Sequence, residues 1–545
     1  MSLSLVSQIP LGIVLAVLAG ILWKLRPFLV GQFTSPLLKL KGPRSSSWFY
    51  GNLDDKRRSE DTLIYDHWID KFGHVLSYRG FFNMPRLLTT DTRAINHVLT
   101  HSALYQKPVA AQRTLSRLLG NGDQHREQRR VMNPAFGPSQ IRELTEIFVE
   151  KSMELRDVWA AELEEKGEPT RLNVVRGLSK MTLDVIGLAG FNYEFHALNP
   201  NGKPNALAKA FEEIFTFPDK IPVLLILQNF FPVLSVIKDA RARRIAHAKE
   251  AMKRIGSDLI AQKKAEILRE SSGKKNANVG RQSLQGRDLL TLLIKANMAT
   301  DIPDSQRLSD EDVLAQVPTF LVAGHETTST ATTWCLYALT QYPDVQRKLR
   351  EELLSADTDT DTPTMDELNA LPYLDMVVRE SLRLFAPVPE SVRVPVKDDI
   401  IPLDKPFTDR FGQVHDHITI AKDTAIVVPI KTMNRLKSIW GEDSYEFRPE
   451  RWENPPDSIS SIPGVWAHML TFLGGPRACI GYRFSIVEMK ALIFTLVRAF
   501  EFELAVPPSE IKKKDGIVQR PALRGDPSGN PQMPLLVRRY NPTRA

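Results

Sequence analysis

Apolar residues run almost unbroken from Leu3 to Trp23; Ser4, Ser7 and Gln8 are the polar exceptions, and no charge stands before Lys24. That is about the ~20 residues a helix needs to cross a bilayer. Lys24, Arg26, Lys39, Lys41 and Arg44 follow, and positive charge behind a span predicts that the rest of the chain stays in the cytoplasm. A cleaved signal peptide would carry a basic segment before the apolar run and a small-residue cleavage site. A buried core helix would rarely be apolar all round. The pattern predicts an uncleaved anchor over residues 1–26 and a linker over 27–52, polar and punctuated by Pro and Gly from Lys41 to Asn52.

Beyond the linker the periods shorten. His74–Gly80 and Arg86–Asp91 read as two strands joined by a turn at Asn83–Pro85. From about Arg93 apolar positions recur at helical spacing. The charged run Lys238–Arg269 reads as a long solvated helix. Ser271–Asp288 and the low-complexity Ser355–Thr364 read as polar loops, and Thr424–Ile430 as a further strand. Pro218–Leu234 is apolar with three prolines; it is either a buried segment or a loop that dips into lipid. No repeat is visible. The pattern predicts one large domain over 53–545, mainly α with small β-sheets, an α+β chain.

Composition adds exclusions. Two cysteines in 545 residues rule out a disulfide framework and suit a reducing compartment. No cluster of Cys and His has zinc spacing. With 71 basic and 64 acidic residues the net charge is +7, which suits an acidic protein partner or an anionic membrane surface. No interleaving of aromatic and basic residues argues for nucleic acid.

One of the two cysteines lies in FLGGPRACIG, Phe472 to Gly481. An amphipathic helical pattern begins just after it, so a Cys479 thiolate would face the free N–H groups and dipole of a helix start. Gly474, Gly475 and Gly481 would let backbone approach something flat and large, and Arg477 could reach an anion. An inert buried cysteine would need none of these.

Phe472, Gly475, Arg477, Cys479 and Gly481 match FxxGxRxCxG, and the chain resembles the cytochrome P-450 family, the haem-thiolate monooxygenases. The resemblance implies that Cys479 ligates the iron of haem b, whose electronics it tunes toward O–O cleavage. It also implies the family fold, with haem between an oxygen-binding helix and the Cys loop. Three more motifs stand upstream. Glu380 and Arg383 sit at i,i+3 in E-S-L-R, and with Arg451 of FRPERW they resemble the family's buried, structural triad. AGHETTS, Ala323 to Ser329, interrupts a helical stretch that opens at Ser309 and Asp312, a capping-box pair. It is either a polar notch satisfied by backbone or the oxygen-binding segment. In the second case Ala323 and Gly324 leave room for dioxygen, while Glu326 and Thr327 supply protons for its cleavage. Pro318, earlier in the same helix, should kink it. In HREQRR, His125 and Arg129 resemble a propionate-binding helix motif, with histidine where tryptophan is usual. Arg393 and Arg477 would complete the propionate cations. Cys335, after Thr327, reads as core filler.

The resemblance implies electrons from NADPH through NADPH–cytochrome P-450 reductase, with cytochrome b5 as an optional second donor, since no flavin or nicotinamide fingerprint is present. It implies an endoplasmic reticulum membrane location, single-pass. The residues expected over the distal face, Phe320, Ala323, Thr327, Val388 and Val392, are apolar except Thr327, and Glu390 lies between the valines. They predict a bulky hydrocarbon substrate, terpenoid-like ahead of a fatty acid or a xenobiotic. The rivals are a haem-thiolate isomerase or dehydratase, a Cys-nucleophile hydrolase, and a membrane-anchored binding protein without catalysis.

Overall fold

The structure is a computed structural model, and it describes residues 30–59, 63–109, 132–199, 288–298, 309–356, 362–514 and 516–542, with single positions or short pieces between, Arg129 among them. The anchor stretch, His125 and most of the Pro218–Leu234 and Lys238–Arg269 runs lie outside the described residues. No helix among the described residues is long and apolar enough to cross a membrane.

Six helices carry the site: α1 (Thr92–Thr100), α2 (Pro138–Lys166), α3 (Val174–Phe191), α4 (Asp310–Gln341), α5 (Pro372–Leu384) and α6 (Tyr482–Ala499). Each begins for a local reason. The Asp91 carboxylate accepts the Ala94 N–H at 2.9 Å, so a residue expected to end a strand instead caps α1. Pro138 and Pro372 occupy first-turn positions, where a missing N–H costs nothing. At 32 residues α4 is the longest, and it runs through Pro318. Its rise of ~1.5 Å per residue carries it across the width of a domain. Helix α3 lies along it, with the Thr182 hydroxyl donating to the His325 carbonyl at 2.9 Å. Helices α2 and α6 meet through Phe148 and Phe484, edge to face at 4.6 Å between ring centres. Helices α2 to α6 share one large apolar core, and α1 packs into a second one.

The strands are β1 (Val75–Arg79), β2 (Pro85–Thr89), β3 (Tyr105–Gln106), β4 (Thr170–Asn173), β5 (Ser391–Pro395), β6 (Asp399–Thr408), β7 (Val414–Ile420), β8 (Ala425–Val428), β9 (Phe500–Leu504), β10 (Ile511–Lys514), β11 (Arg520–Leu523) and β12 (Pro534–Arg539). They form a five-stranded sheet in the order β1-β2-β8-β5-β3, a three-stranded sheet in the order β4-β12-β9, and the pairs β6–β7 and β10–β11. The architecture is mainly helical with small sheets, as the pattern predicts. The first two expected strands pair antiparallel, Val75 opposite Thr89. Their turn lies earlier than expected, at Phe81–Asn83, with Phe82 and Asn83 both at positive φ. At the end of the expected loop, Thr364 opens a box that caps the next helix: Thr364 Oγ1 accepts the Glu367 N–H at 3.2 Å, and Glu367 accepts the Thr364 N–H at 2.6 Å.

Candidate active site

The Cys loop is shaped by backbone contacts. The Cys479 N–H donates to the Phe472 carbonyl at 2.8 Å, and the Phe472 ring meets Trp466 and Tyr482. Gly475 has φ +69°, and a Cβ there would come within 2.6 Å of the Leu99 carbonyl oxygen at the end of α1. A Cβ on Gly474 would come within 1.7 Å of the Pro463 carbonyl oxygen. These two glycines therefore seat the loop on neighbouring backbone rather than on a flat ligand. Gly481 alone leaves space: a Cβ would touch only Phe136, at 3.6 Å. Cys479 is exposed, yet burial is the main cause that raises its thiol pKa, while the Gly481 N–H and the Arg129 guanidinium pull it back down. Accessible yet deep, the sulfur fronts an internal surface rather than bulk water, just before the first turn of α6. Cys335 is its opposite: fully buried, pushed up to about 12, inert in the core.

Cations gather nearby. Lys107 is pushed down to about 8, first by burial and then by Arg393 and Arg477. Arg393 is pushed down to about 10 by burial and by Arg477. Among the described residues, no carboxylate contributes to either shift. Three cations that repel one another in a desolvated place need an anion among them. Lys107 escaped sequence reasoning because it stands in no motif; only its place beside β3 brings it to the cluster. Arg129, expected in this group, instead hydrogen-bonds the Ala478 carbonyl and acts on Cys479. His125 lies outside the described residues. A deep accessible thiol and a cluster of unmatched cations fit a flat dianionic macrocycle such as haem.

Helix α4 packs against both α3 and α6. Ala323 is exposed in mid-helix, and Thr327, four residues on, stacks on the same face with its hydroxyl donating to the Ala323 carbonyl at 2.5 Å. A Cβ on Gly324 would come within 2.8 Å of the Ile186 side chain, so this glycine sets the close crossing of α3 and α4 instead of making room for a ligand. Glu326 is ion-paired with Arg520 of β11. Phe320 is buried against Phe136 and Phe191. Val388 and Val392 pack onto the cores around the five-stranded sheet. Glu390 points away from α4: it pairs with Lys56 at 2.6 Å and accepts the Tyr65 hydroxyl at 2.8 Å.

The triad comes together, and it is larger than expected. Glu380 accepts Arg383 Nε and Nη2 at 2.9 and 2.8 Å, Arg451 Nε at 3.3 Å, Trp452 Nε1 at 3.0 Å and the Arg448 N–H at 3.0 Å. Arg451 also donates to Asp443 Oδ1 at 2.7 Å, and that bond holds the Asp443 carboxyl below its ordinary range. Two carboxylates thus meet two buried guanidiniums, and the exposed Arg448 guanidinium adds a third cation on Asp443 at 2.9 Å; the sequence motif omits Asp443. The network reaches the Cys loop. Arg383 Nη1 donates to the Asn434 carbonyl at 3.0 Å, and Asn434 holds the Leu470 N–H and the Thr471 hydroxyl at 2.9 and 2.8 Å, next to Phe472. Deleting one member would leave unpaired buried charge, at a cost of ~3–5 kcal/mol.

Comparison with known proteins agrees. The family model for cytochrome P450 matches residues 41–524. The chain is 56% identical to cytochrome P450 monooxygenase 205 of the fungus Postia placenta and 54% to monooxygenase 128 of the same organism, each over 98% of both chains. It is 34% identical to ganoderic acid synthetase of Ganoderma lucidum, over 92% of this chain and 94% of that one. A loop that presents one accessible cysteine and is tied to a buried charge network thus has its explanation: the chain belongs to the cytochrome P450 family of haem-thiolate monooxygenases, with relatives in a fungus.

Proposed function

We propose that the chain is a monooxygenase acting on a bulky lipophilic, terpenoid-like molecule, with Cys479 as the haem ligand. Bound haem supplies the iron at which dioxygen is reduced and cleaved. Cys479 Sγ would ligate that iron. Lys107, Arg393 and Arg477 would hold the propionates. Arg129 steadies the Cys loop through the Ala478 carbonyl and adds positive charge beside the sulfur. On α4, Ala323 would leave space for dioxygen, and the Thr327 hydroxyl and Glu326 carboxylate would hold and pass protons for its cleavage. Electrons come from NADPH through a reductase, with cytochrome b5 as a second donor. Residues 1–26 anchor the chain in the endoplasmic reticulum membrane, so that a membrane-dissolved substrate is at hand. The relative named for making ganoderic acid supports the terpenoid reading.

The observation that carries this reading is an accessible Cys479 beside Arg129, together with the desolvated cluster of Lys107, Arg393 and Arg477. Its test is the carbon-monoxide spectrum of the reduced protein. The thiolate band should vanish in Cys479→Ser and persist in Cys335→Ser; the reverse would overturn the assignment. Spectral titration with terpenes, fatty acids and small polar aromatics tests the substrate. Tight binding of the polar aromatics alone would sink the terpenoid reading.

A further inference from the structure

We propose that Arg520 is a positioning residue for oxygen cleavage: its guanidinium pairs with the Glu326 carboxylate and fixes it beside Thr327. The proposal rests on the reading of Glu326 and Thr327 as the proton route. It begins from helix geometry. Ala323 and Thr327 share a face of α4, whereas Glu326 is turned about 100° from Thr327, as any adjacent pair on a helix must be. An unrestrained Glu326 side chain could swing along either flank. In the structure it is held on one, by Arg520 of β11.

The hold is built rather than incidental. Gln519, the residue before Arg520, is 1% exposed and fastened on three sides. Its N–H donates to the Pro387 carbonyl at 2.8 Å. Its carbonyl accepts Trp334 Nε1 at 2.9 Å, two turns along α4 from Glu326. Its side-chain oxygen accepts Lys431 Nζ at 2.6 Å. Those bonds register the β11 edge against α4 and leave Arg520 facing Glu326. Both partners are withdrawn from water, at 23% and 13% exposure. The pair is therefore screened far less than a surface one. The neighbouring His325 is no rival cation. Its ring meets the Ser179 hydroxyl at 2.7 Å, and its pKa is pushed down to about 4 by burial and then by Arg520, so it is neutral at neutral pH.

A desolvated carboxylate without its cation takes up a proton and no longer accepts one. Removing Arg520 should therefore disable the route through Glu326 while leaving the haem pocket in place. The direct readout is infrared difference spectroscopy on the haem-loaded full chain. Arg520→Gln should show a protonated-carboxyl band absent from wild type, and the band should be lost in Arg520→Gln/Glu326→Gln. The kinetic readout is product and peroxide per NADPH, with the reductase and a triterpene probe. Arg520→Gln should lower product per NADPH by about tenfold, a fraction of the ~10²–10⁴-fold that a placed acid–base group contributes. Arg520→Lys should recover most of it. In a Glu326→Gln background Arg520→Gln should add nothing.

Wild-type coupling in haem-loaded Arg520→Gln, or a full extra loss in the double variant, would overturn the proposal. If Glu326→Gln alone couples like wild type, the proton-route reading is what fails. Arg520→Met repeats the measurements if the glutamine variant does not fold. Loss of haem loading in both assigns Arg520 a structural role and overturns the proposal as well.

Discussion

Glu488 shows how far a single residue can depart from what its type suggests. It sits on α6, fully buried, and neither carboxylate oxygen has a hydrogen-bond partner. Burial raises its pKa well above the ordinary 4.5, against a small opposing effect of the Thr328 hydroxyl. The folded state therefore binds this proton more tightly than the unfolded state does. The linked stability is fully present below the unfolded pKa and is lost as pH rises toward the folded one. Glu488→Gln should leave the melting temperature unchanged near pH 4 and raise it at pH 8. A melting difference independent of pH would show that the acid is not neutral in the fold. At this scale the sequence was legible where chemistry is local. Cys479 and the Glu380–Arg383 pair were readable because their motifs are short and dense. Gly474, Gly475 and Gly324 were read as room for a ligand, but a glycine shows only that a Cβ is not tolerated. What it would strike, here Pro463, Leu99 or Ile186, is set by tertiary contact. Lys107 and Asp443 carry no local signal, and each joins its cluster only through the fold.

Elements were legible in proportion to how near their partners lie. The β1–β2 hairpin and α6 could be read because turn, cap and periodicity fall within one window. Strands β4 and β12 could not be: each is short and mostly polar or Pro-flanked alone, and their register pairs Asn173 with Pro534. The β6 strand also hides, because Pro402 and Pro406 interrupt its alternation and its ladder to β7 shifts register between Pro402 and Phe407. The crossing of α3 and α4 makes a prediction at this scale. Gly324→Ala pushes a methyl into Ile186 and should cost about 1–3 kcal/mol by overpacking. Ile186→Ala should itself be destabilising. Together the two should cost less than their sum, because the new methyl enters the space the old side chain leaves. Additive losses in thermal or denaturant unfolding would mean the helices do not meet there.

Across the whole molecule, the described helices and sheets form the haem-binding body without any membrane-crossing helix, and the apolar stretch from Leu3 to Trp23 stands apart in sequence. Deleting Met1 to Arg26 should therefore abolish stable membrane insertion, read by carbonate extraction, while the carbon-monoxide spectrum persists. A truncated chain that cannot load haem would place the stretch in the core instead. The three-stranded sheet has a further consequence, in time rather than space. Strand β12 lies between β4 and β9, the Val174 N–H donates to the Met533 carbonyl at 3.1 Å, and the Met533 N–H donates to Asn173 Oδ1 at 3.1 Å. The middle strand of this sheet is thus made after both its neighbours, and β4 must wait for it with an open edge. Cys479 too is made late. During synthesis the chain that precedes Cys479 has neither the central strand of this sheet nor its cofactor ligand, so the nascent protein depends on chaperones until both are made. A release-arrested chain ending before β12 should be digested by protease at β4, and one extended past Arg539 should not.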